Sequence, residues 1–238
     1  LGAGPDTLKA LADGEGSFFE VLKGATNPMI IVGQGALARS DGAAVLAQAV
    51  KLAQAVNAVR DDWNGFNVLH TAAARVGGLD IGFVPGLSGK SVSGMLGGGV
   101  DVLFLLGDYE LDTAAMGDSF VVYIGTHGDA GAHRADVILP GATYTEKSGT
   151  YVNTEGRVQM TSRAGFAPGQ AKDDWAILRA LSDVLGKKLP FDSLPALRKQ
   201  LYGEYPHLAA IDQIAAGDIA ELDRVARLGG KLTKDTFT

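Results

Sequence analysis

Three short apolar runs, each shut off by a glycine or a proline, constrain this chain more than any other feature. Asp101–Leu106 reads DVLFLL and stops at Gly107, Phe120–Ile124 reads FVVYI and stops at Gly125, and Val137–Leu139 stops at Pro140. Runs that are apolar on successive residues leave no face for water, so they suit a parallel sheet covered on both sides. Met29–Val32, bounded by Pro28 and Gly33, is a shorter run of the same kind. Helical periodicity lies between the runs. Val45, Ala49, Leu52 and Val56 share one face of a helix that opens near Ser40 or Asp41, either of which is a suitable cap. Strands alternating with helices predict an α/β fold built on a doubly wound, mostly parallel sheet.

The rest of the chain divides around that signal. Residues 1–27 read as a lead-in of two helical pieces, Thr7–Ala12 and Phe18–Lys23, separated by Gly14 and Gly16. Residues 28–186 are the α/β domain, with a second strand at Asn57–Arg60. The stretch from Asp61 to Gly99 reads as a glycine-rich irregular excursion with a short helix at Thr71–Arg75. Gly141–Gln159 is extended and hairpin-like. A helix capped by Asp173 or Asp174 then places Trp175, Leu178, Leu181 and Leu185 on one face and stops at Gly186. Residues 187–238 form a C-terminal tail of short helices, in which Ile219, Leu222, Val225 and Leu228 sit three apart.

Composition excludes several kinds of chemistry. The chain has no cysteine, so it supplies no disulfide, no thiolate-held zinc and no ordinary iron–sulfur ligation. Its net charge is −6 and no long basic run occurs, which argues against a nucleic-acid groove. No apolar run approaches the roughly 20 residues of a membrane span, and no signal peptide is visible. The chain begins at Leu1 rather than Met, as a fragment or a processed product would.

Candidate site residues gather after the strands. Gly33-x-Gly35-x-x-Ala38 follows the first strand and matches the dinucleotide fingerprint, but the helix is expected several residues later and no acid stands at the ideal distance. A glycine-rich turn without a ligand is the preferred reading. Gly33-Gln34-Gly35, Gly107-Asp108 and Gly125-Thr126-His127-Gly128-Asp129 all end strands, and in an open α/β sheet such loops meet at one edge, the usual ligand crevice. His127, Asp129 and His133 fit no strong metal motif and read as loop hydrogen-bond partners. GLSGKS at 86–91 lacks the spacing of a phosphate loop, and no serine elbow occurs. Glu146, Lys147, Glu155 and Arg157 read as ion pairs pinning a turn. No catalytic residue and no metal site is assigned.

One segment is distinctive. Ala135–Gln159, ADVILPGATYTEKSGTYVNTEGRVQ, resembles the late part of the molybdopterin oxidoreductase superfamily, and more narrowly it is similar to the large iron–sulfur subunits of NADH:quinone oxidoreductase, respiratory complex I. WNGFNVLHTAAARVGGLDIGF at 63–83, DVLFLLGDYE at 101–110, THGDAGAHRADVILPGA at 126–142 and KDDWAILRALSDVLG at 172–186 extend the resemblance over nearly the whole chain. It implies a fold of molybdopterin-oxidoreductase type and a place in the C-terminal, cluster-free body of such a subunit. The [2Fe-2S] and [4Fe-4S] clusters of the family would then lie in an N-terminal region that these residues do not include. It also implies a scaffolding role in NADH-to-quinone electron transfer. The expected partners are other complex I subunits, including the flavin-bearing and quinone-site subunits. The expected location is the cytoplasmic face of a bacterial inner membrane, or the matrix side of a mitochondrial one. By the same resemblance Gly33, Gly35, Gly107, Asp108, Thr126 and His127 would line a vestigial cofactor edge. Two other readings stay open: the cofactor-binding part of a molybdopterin-dependent enzyme, and a nucleotide-binding domain.

Overall fold

Helix, strand and turn alternate along the chain as the apolar runs require. The computed structural model describes residues 2–73, 75–107, 111–214, 219–227 and 230–234. The chain divides into two compact units. Leu1–Val76, Val152–Arg157 and Gln213–Thr238 form the first, and Gly77–Tyr151 with Val158–Asp212 form the second.

The first unit opens with helices α1 (Pro5–Ala12) and α2 (Ser17–Gly24), close to the two expected pieces. Strand β1 (Ile30–Gly33) runs straight into a one-turn helix, α3 (Gln34–Leu37), before the long helix α4 (Gly42–Ala55). The face predicted for α4 is the buried one: Val45 and Ala49 are 2% exposed, Leu52 and Val56 4%. Alanines at 44, 47, 49 and 53 are buried too, so small side chains let neighbours approach the helix closely. Gly42 permits the tightest approach, because a Cβ there would lie 2.0 Å from the Leu37 carbonyl oxygen. The helix stops where Asn57 takes a left-handed φ of 55°.

The strand expected at Asn57–Arg60 forms, and the stretch expected to be irregular holds two more. β2 (Val59–Arg60) pairs antiparallel with β3 (Trp63–Asn64), and β4 (Phe66–Leu69) lies parallel to β1 with Ile30 opposite Phe66 and Gly33 opposite Leu69. Gly65 is the hinge between these ladders. Its N–H donates to the Ala58 carbonyl at 2.7 Å, and its own carbonyl accepts from the Ile30 amide at 2.7 Å. Leu11, Ala12, Phe19, Leu52, Ala53, Val56 and Ala58 make the core of this unit, with Ile30 and Phe66 packed against them.

The helix expected at Thr71–Arg75 lies further on, as α5 (Arg75–Asp80), and α6 (Val92–Leu96) follows, capped by the Ser91 hydroxyl. The three apolar runs then form β5 (Val102–Leu106), β6 (Phe120–Gly125) and β7 (Val137–Pro140). They make one parallel sheet in the order β5-β6-β7, with α7 (Ala130–Arg134) on the crossover from β6 to β7. The fold is therefore α/β with parallel sheets. Its parallel strands are shared between two sheets, β1-β4 and β5-β6-β7.

Burial separates the two faces of β5, while β6 is buried on both, with Val122 8% and Ile124 1% exposed. Leu103, Leu105, Val121 and Tyr123 face a core with Met116, which is 1% exposed. On the opposite face Val102, Phe104, Leu106 and Phe120 remain 52%, 44%, 51% and 47% exposed. An apolar run predicts cover on both faces. Here only one side of β5 is packed, because strand residues alternate in direction and only the odd-numbered side chains of β5 meet helices of the unit.

Strands β8 (Thr150–Val152) and β9 (Val158–Met160) are the arms of the expected hairpin. Helix α8 (Asp174–Val184) follows as predicted and ends before Gly186, whose φ is 68°. Its buried face is not the expected one. Leu178 is 37% exposed and Leu185 66%, whereas Arg179 and Ser182 are buried. The reason is hydrogen bonding. Arg179 Nε donates to the Phe191 carbonyl at 2.9 Å, its Nη2 donates to Asp192 at 2.5 Å, and Ser182 Oγ accepts from the Leu189 amide at 3.0 Å. Polar side chains with partners can be buried at low cost, and these tie down the loop that leaves the helix.

Helix α9 (Leu194–Glu204) completes the second unit, capped by Ser193. The Tyr205 hydroxyl after it donates to the Ile81 carbonyl at 2.9 Å. Helix α10 (Ile219–Ala226) belongs to the first unit and packs on α4, where Gln54 Nε2 donates to Asp223 at 2.6 Å. Leu222 and Val225 are half-buried, in keeping with the spacing of three; Leu228 lies outside the described residues.

Candidate functional site

The C-terminal edge of β5-β6-β7 forms a cavity of about 610 Å³. Gly107 ends β5 with a φ of 67°, which a side chain would strain, and its N–H donates to the Ile124 carbonyl at 2.8 Å. Gly125 ends β6, and a Cβ there would lie 2.2 Å from the Tyr123 ring. Glycine at this point lets Tyr123 turn its hydroxyl toward the loop that follows. That hydroxyl donates to Asp129 Oδ2 at 2.5 Å. The other Asp129 oxygen accepts from the Ala132 amide at 3.1 Å, capping α7. The Tyr123 hydroxyl, then the amides of Ala132 and Gly131, hold the Asp129 carboxyl below the usual carboxylate range.

Thr126 and His127 lie in the same loop, with Thr126 Oγ1 2.8 Å from His127 Nδ1. The loop after β7 closes the cavity with Ala142, Thr143, Tyr144 and Lys147. Glu146 pins it by accepting from the Thr143 amide at 3.0 Å. Lys147 pairs with Asp174 at the start of α8. In the first unit, Arg157 pairs with Glu155 at 3.5 Å. These acids and bases thus hold turns in place.

Of the residues singled out from sequence, Gly107, Thr126 and His127 line this cavity together. Asp108 lies outside the described residues. Gly33 and Gly35 belong to the first unit, where β1 pairs with β4 in a separate sheet. Their surroundings differ as well. Gly33 has an ordinary φ of −72°, and Gly35 is absent from the left-handed glycines among the described residues. The hollow of about 220 Å³ beside Gly33 is lined by apolar residues such as Ile31, Val45 and Ala49. Gln34, between the glycines, accepts from the Thr71 amide and hydroxyl at 2.9 and 3.0 Å. A helix does follow at once, but it is a single turn, and the long helix starts at Gly42, close to the expected Ser40 or Asp41. Asp41 makes no side-chain cap to α4; its carboxylate instead takes Arg39 and Thr233.

Sequence reasoning missed Tyr123, Thr143, Tyr144 and Lys147 as lining residues. The strand-end position that selects Gly107 and Thr126 also marks the loop after Pro140, which supplies three of these four. Tyr123 lies one position inside an apolar strand, where its hydroxyl is invisible to periodicity.

Known proteins are similar to this sequence over most or all of its length. The family model described as Molybdopterin oxidoreductase matches residues 1–184. The chain is 46% identical over 215 residues to NADH dehydrogenase (ubiquinone) iron-sulfur protein 1, mitochondrial, of Solanum tuberosum, covering 90% of this chain and 28% of that protein. It is 41% identical over 221 residues to the NADH-ubiquinone oxidoreductase 75 kDa subunit of Reclinomonas americana, covering 92% and 32%. It is 42% identical over 238 residues to an NADH-quinone oxidoreductase subunit of Rickettsia bellii, covering 100% and 33%. The chain thus spans about a third of the length of these relatives.

Proposed function

This chain belongs to the molybdopterin oxidoreductase family, and from that premise we propose that it is a structural part of the large iron–sulfur subunit of an NADH:quinone oxidoreductase. In this reading it supports electron transfer from NADH to quinone and carries no redox centre of its own. The observation that carries the reading is alignment of 90–100% of the chain with three NADH dehydrogenase or NADH oxidoreductase proteins at 41–46% identity. The name of the Solanum tuberosum relative includes iron–sulfur. This sequence has no cysteine, so thiolates for [2Fe-2S] or [4Fe-4S] clusters would have to come from outside these 238 residues.

The pterin cofactor for which the family is named carries phosphate, and the cavity suits it poorly. Lys147 is the only Lys or Arg among the described residues of the lining, and Asp174 already takes it. The Asp129 carboxylate would face the phosphate across the same space. This disfavours the cofactor-binding alternative, and the apolar hollow beside Gly33 disfavours the nucleotide-binding one. On this reading Gly33, Gly35, Gly107, Asp108, Thr126 and His127 are now structural.

The partners in this reading are the flavin-bearing and quinone-site subunits. The place is peripheral, on the cytoplasmic face of a bacterial inner membrane or the matrix side of a mitochondrial one. No helix among the described residues is long and apolar enough to cross a membrane. The test is affinity purification of the full-length native protein from solubilised membranes, with mass spectrometry of what accompanies it. Flavin-bearing and quinone-site subunits are the expected companions. Recovery alone, or with a molybdenum-cofactor maturation factor, overturns the reading.

A further inference from the structure

Phe83 follows α5 with its side chain almost wholly in water, 86% exposed. Val84 and Leu87 are exposed beside it in sequence, Leu87 completely. No charged residue stands between Ile81 and Gly89. The first one, Lys90, is turned back on the chain, its Nζ donating to the Gly99 carbonyl at 2.7 Å and the Gly98 carbonyl at 3.3 Å. The result is a neutral, apolar crest on the second unit. Single exposed apolar residues are ordinary, but a run of large ones marks an interaction surface.

Local geometry explains why Phe83 is bare. Helix α5 ends in a Schellman turn: Gly82 has a left-handed φ of 68°, its amide donates to the Leu79 carbonyl at 2.9 Å, and the Phe83 amide donates to the Gly78 carbonyl at 2.8 Å. The residue in Phe83's place commonly packs on the helix side chains at the positions held here by Gly77 and Gly78. Glycine offers nothing to pack on, so the ring lacks its usual local cover. The crest is nonetheless held in shape. The Tyr205 hydroxyl fixes the Ile81 carbonyl at 2.9 Å, His207 Nε2 lies 3.5 Å from the Asp80 carboxylate, and the Gly89 amide closes a turn on the Gly86 carbonyl at 2.9 Å.

We propose that Phe83, Val84 and Leu87 dock into an apolar groove on the part of the same polypeptide that lies outside these 238 residues. This rests on the reading of the chain as part of a longer subunit. The relatives supply the length: the chain matches 28%, 32% and 33% of them, which leaves about two-thirds of each beyond the match. The absence of charge favours the same polypeptide over a separate protein. Separate proteins meet by diffusion and use charged rims for steering and register. A covalently linked segment is already at high effective concentration and needs no such steering.

The test is photo-crosslinking of the full-length native protein, extracted from membranes with its companions and carrying Phe83→p-benzoylphenylalanine. After irradiation the subunit should keep its single-chain mass on a denaturing gel, and mass spectrometry should join position 83 to a peptide of the same polypeptide outside these 238 residues. A product enlarged by another subunit or doubled by a second copy overturns the proposal. So does a link within the 238 residues, or no link at all. If that variant fails to accumulate, Leu87→p-benzoylphenylalanine is read by the same outcomes. The functional reading fails separately, on missing flavin-bearing and quinone-site subunits, because the cross-link is read inside one polypeptide whatever accompanies it.

Discussion

Thr233 closes on Asp41 across 192 positions, its amide 2.9 Å and its hydroxyl 3.0 Å from the same carboxylate oxygen. Arg39 holds the carboxylate from the other side at 2.8 Å. The C-terminal stretch of the first unit is thereby fastened to the start of α4. Asp41→Asn should lower the melting temperature by on the order of 5 °C at neutral pH. Differential scanning calorimetry checks it; an unchanged midpoint would show that this fastening contributes nothing.

The same carboxylate sets an acid limb. Arg39 first, then the Thr233 amide, hold the Asp41 carboxyl well below the usual carboxylate range. A lowered native value means that its stabilisation is complete above the unfolded value, near 4, and is lost as pH falls toward the native one. Asp13 behaves alike, held at about 2 by Lys51 and then Lys9. Thermal melts between pH 6 and pH 2 should therefore fall steeply for the native chain below roughly pH 4. Asp41→Asn should fall less steeply and keep the part due to Asp13. Parallel curves would be the contrary result.

Neighbouring residues on β5 should respond very differently to truncation. Leu105 is 4% exposed and Phe104 44%. Leu105→Ala leaves a void against Met116 and Tyr123 and should cost about 2–5 kcal/mol. Phe104→Ala, the removal of a larger side chain, should cost less than about 1.5 kcal/mol. Urea unfolding of both variants gives the comparison, and a larger loss at Phe104 would mean that the open face is packed in solution.

Gly65 should tolerate no side chain. A Cβ would lie 2.1 Å from the Pro28 carbonyl oxygen and 2.5 Å from Trp63 Nε1, which themselves share a 2.9 Å hydrogen bond. Gly65→Ala must break that bond or move the backbone joining β3 to β4, at a cost of about 3 kcal/mol or more. Its unfolding midpoint in urea would reveal the loss, with Gly33→Ala, where a Cβ meets nothing within 4 Å, as the mild control.

Much of this was legible in the sequence, for a physical reason. Val102–Leu106, Phe120–Ile124 and Val137–Leu139 announce strands because a continuous apolar run excludes water along its whole length. Val45, Ala49, Leu52 and Val56 announce the buried face of α4 because a helix repeats every 3.6 residues. The missing cysteines exclude thiolate ligation by these residues without any structure. Phe66–Leu69 stayed hidden because four residues carry too little period to separate strand from loop, and only pairing with Ile30–Gly33 makes them one.

Side-chain partnerships between distant positions belonged to the tertiary structure alone. Sequence marks Asp41 as a helix cap, but the fold brings Thr233 to it, and the carboxylate goes there instead. Sequence puts leucines on the inner face of α8, but the loop at Phe191 and Asp192 draws Arg179 inward. It places Gly33 and Gly107 at the ends of similar strands, yet those strands enter different sheets. Local periodicity is written in neighbouring residues. Which polar groups meet, and which strands share an edge, depends on contacts between residues far apart in the chain, and these exist only once it has folded.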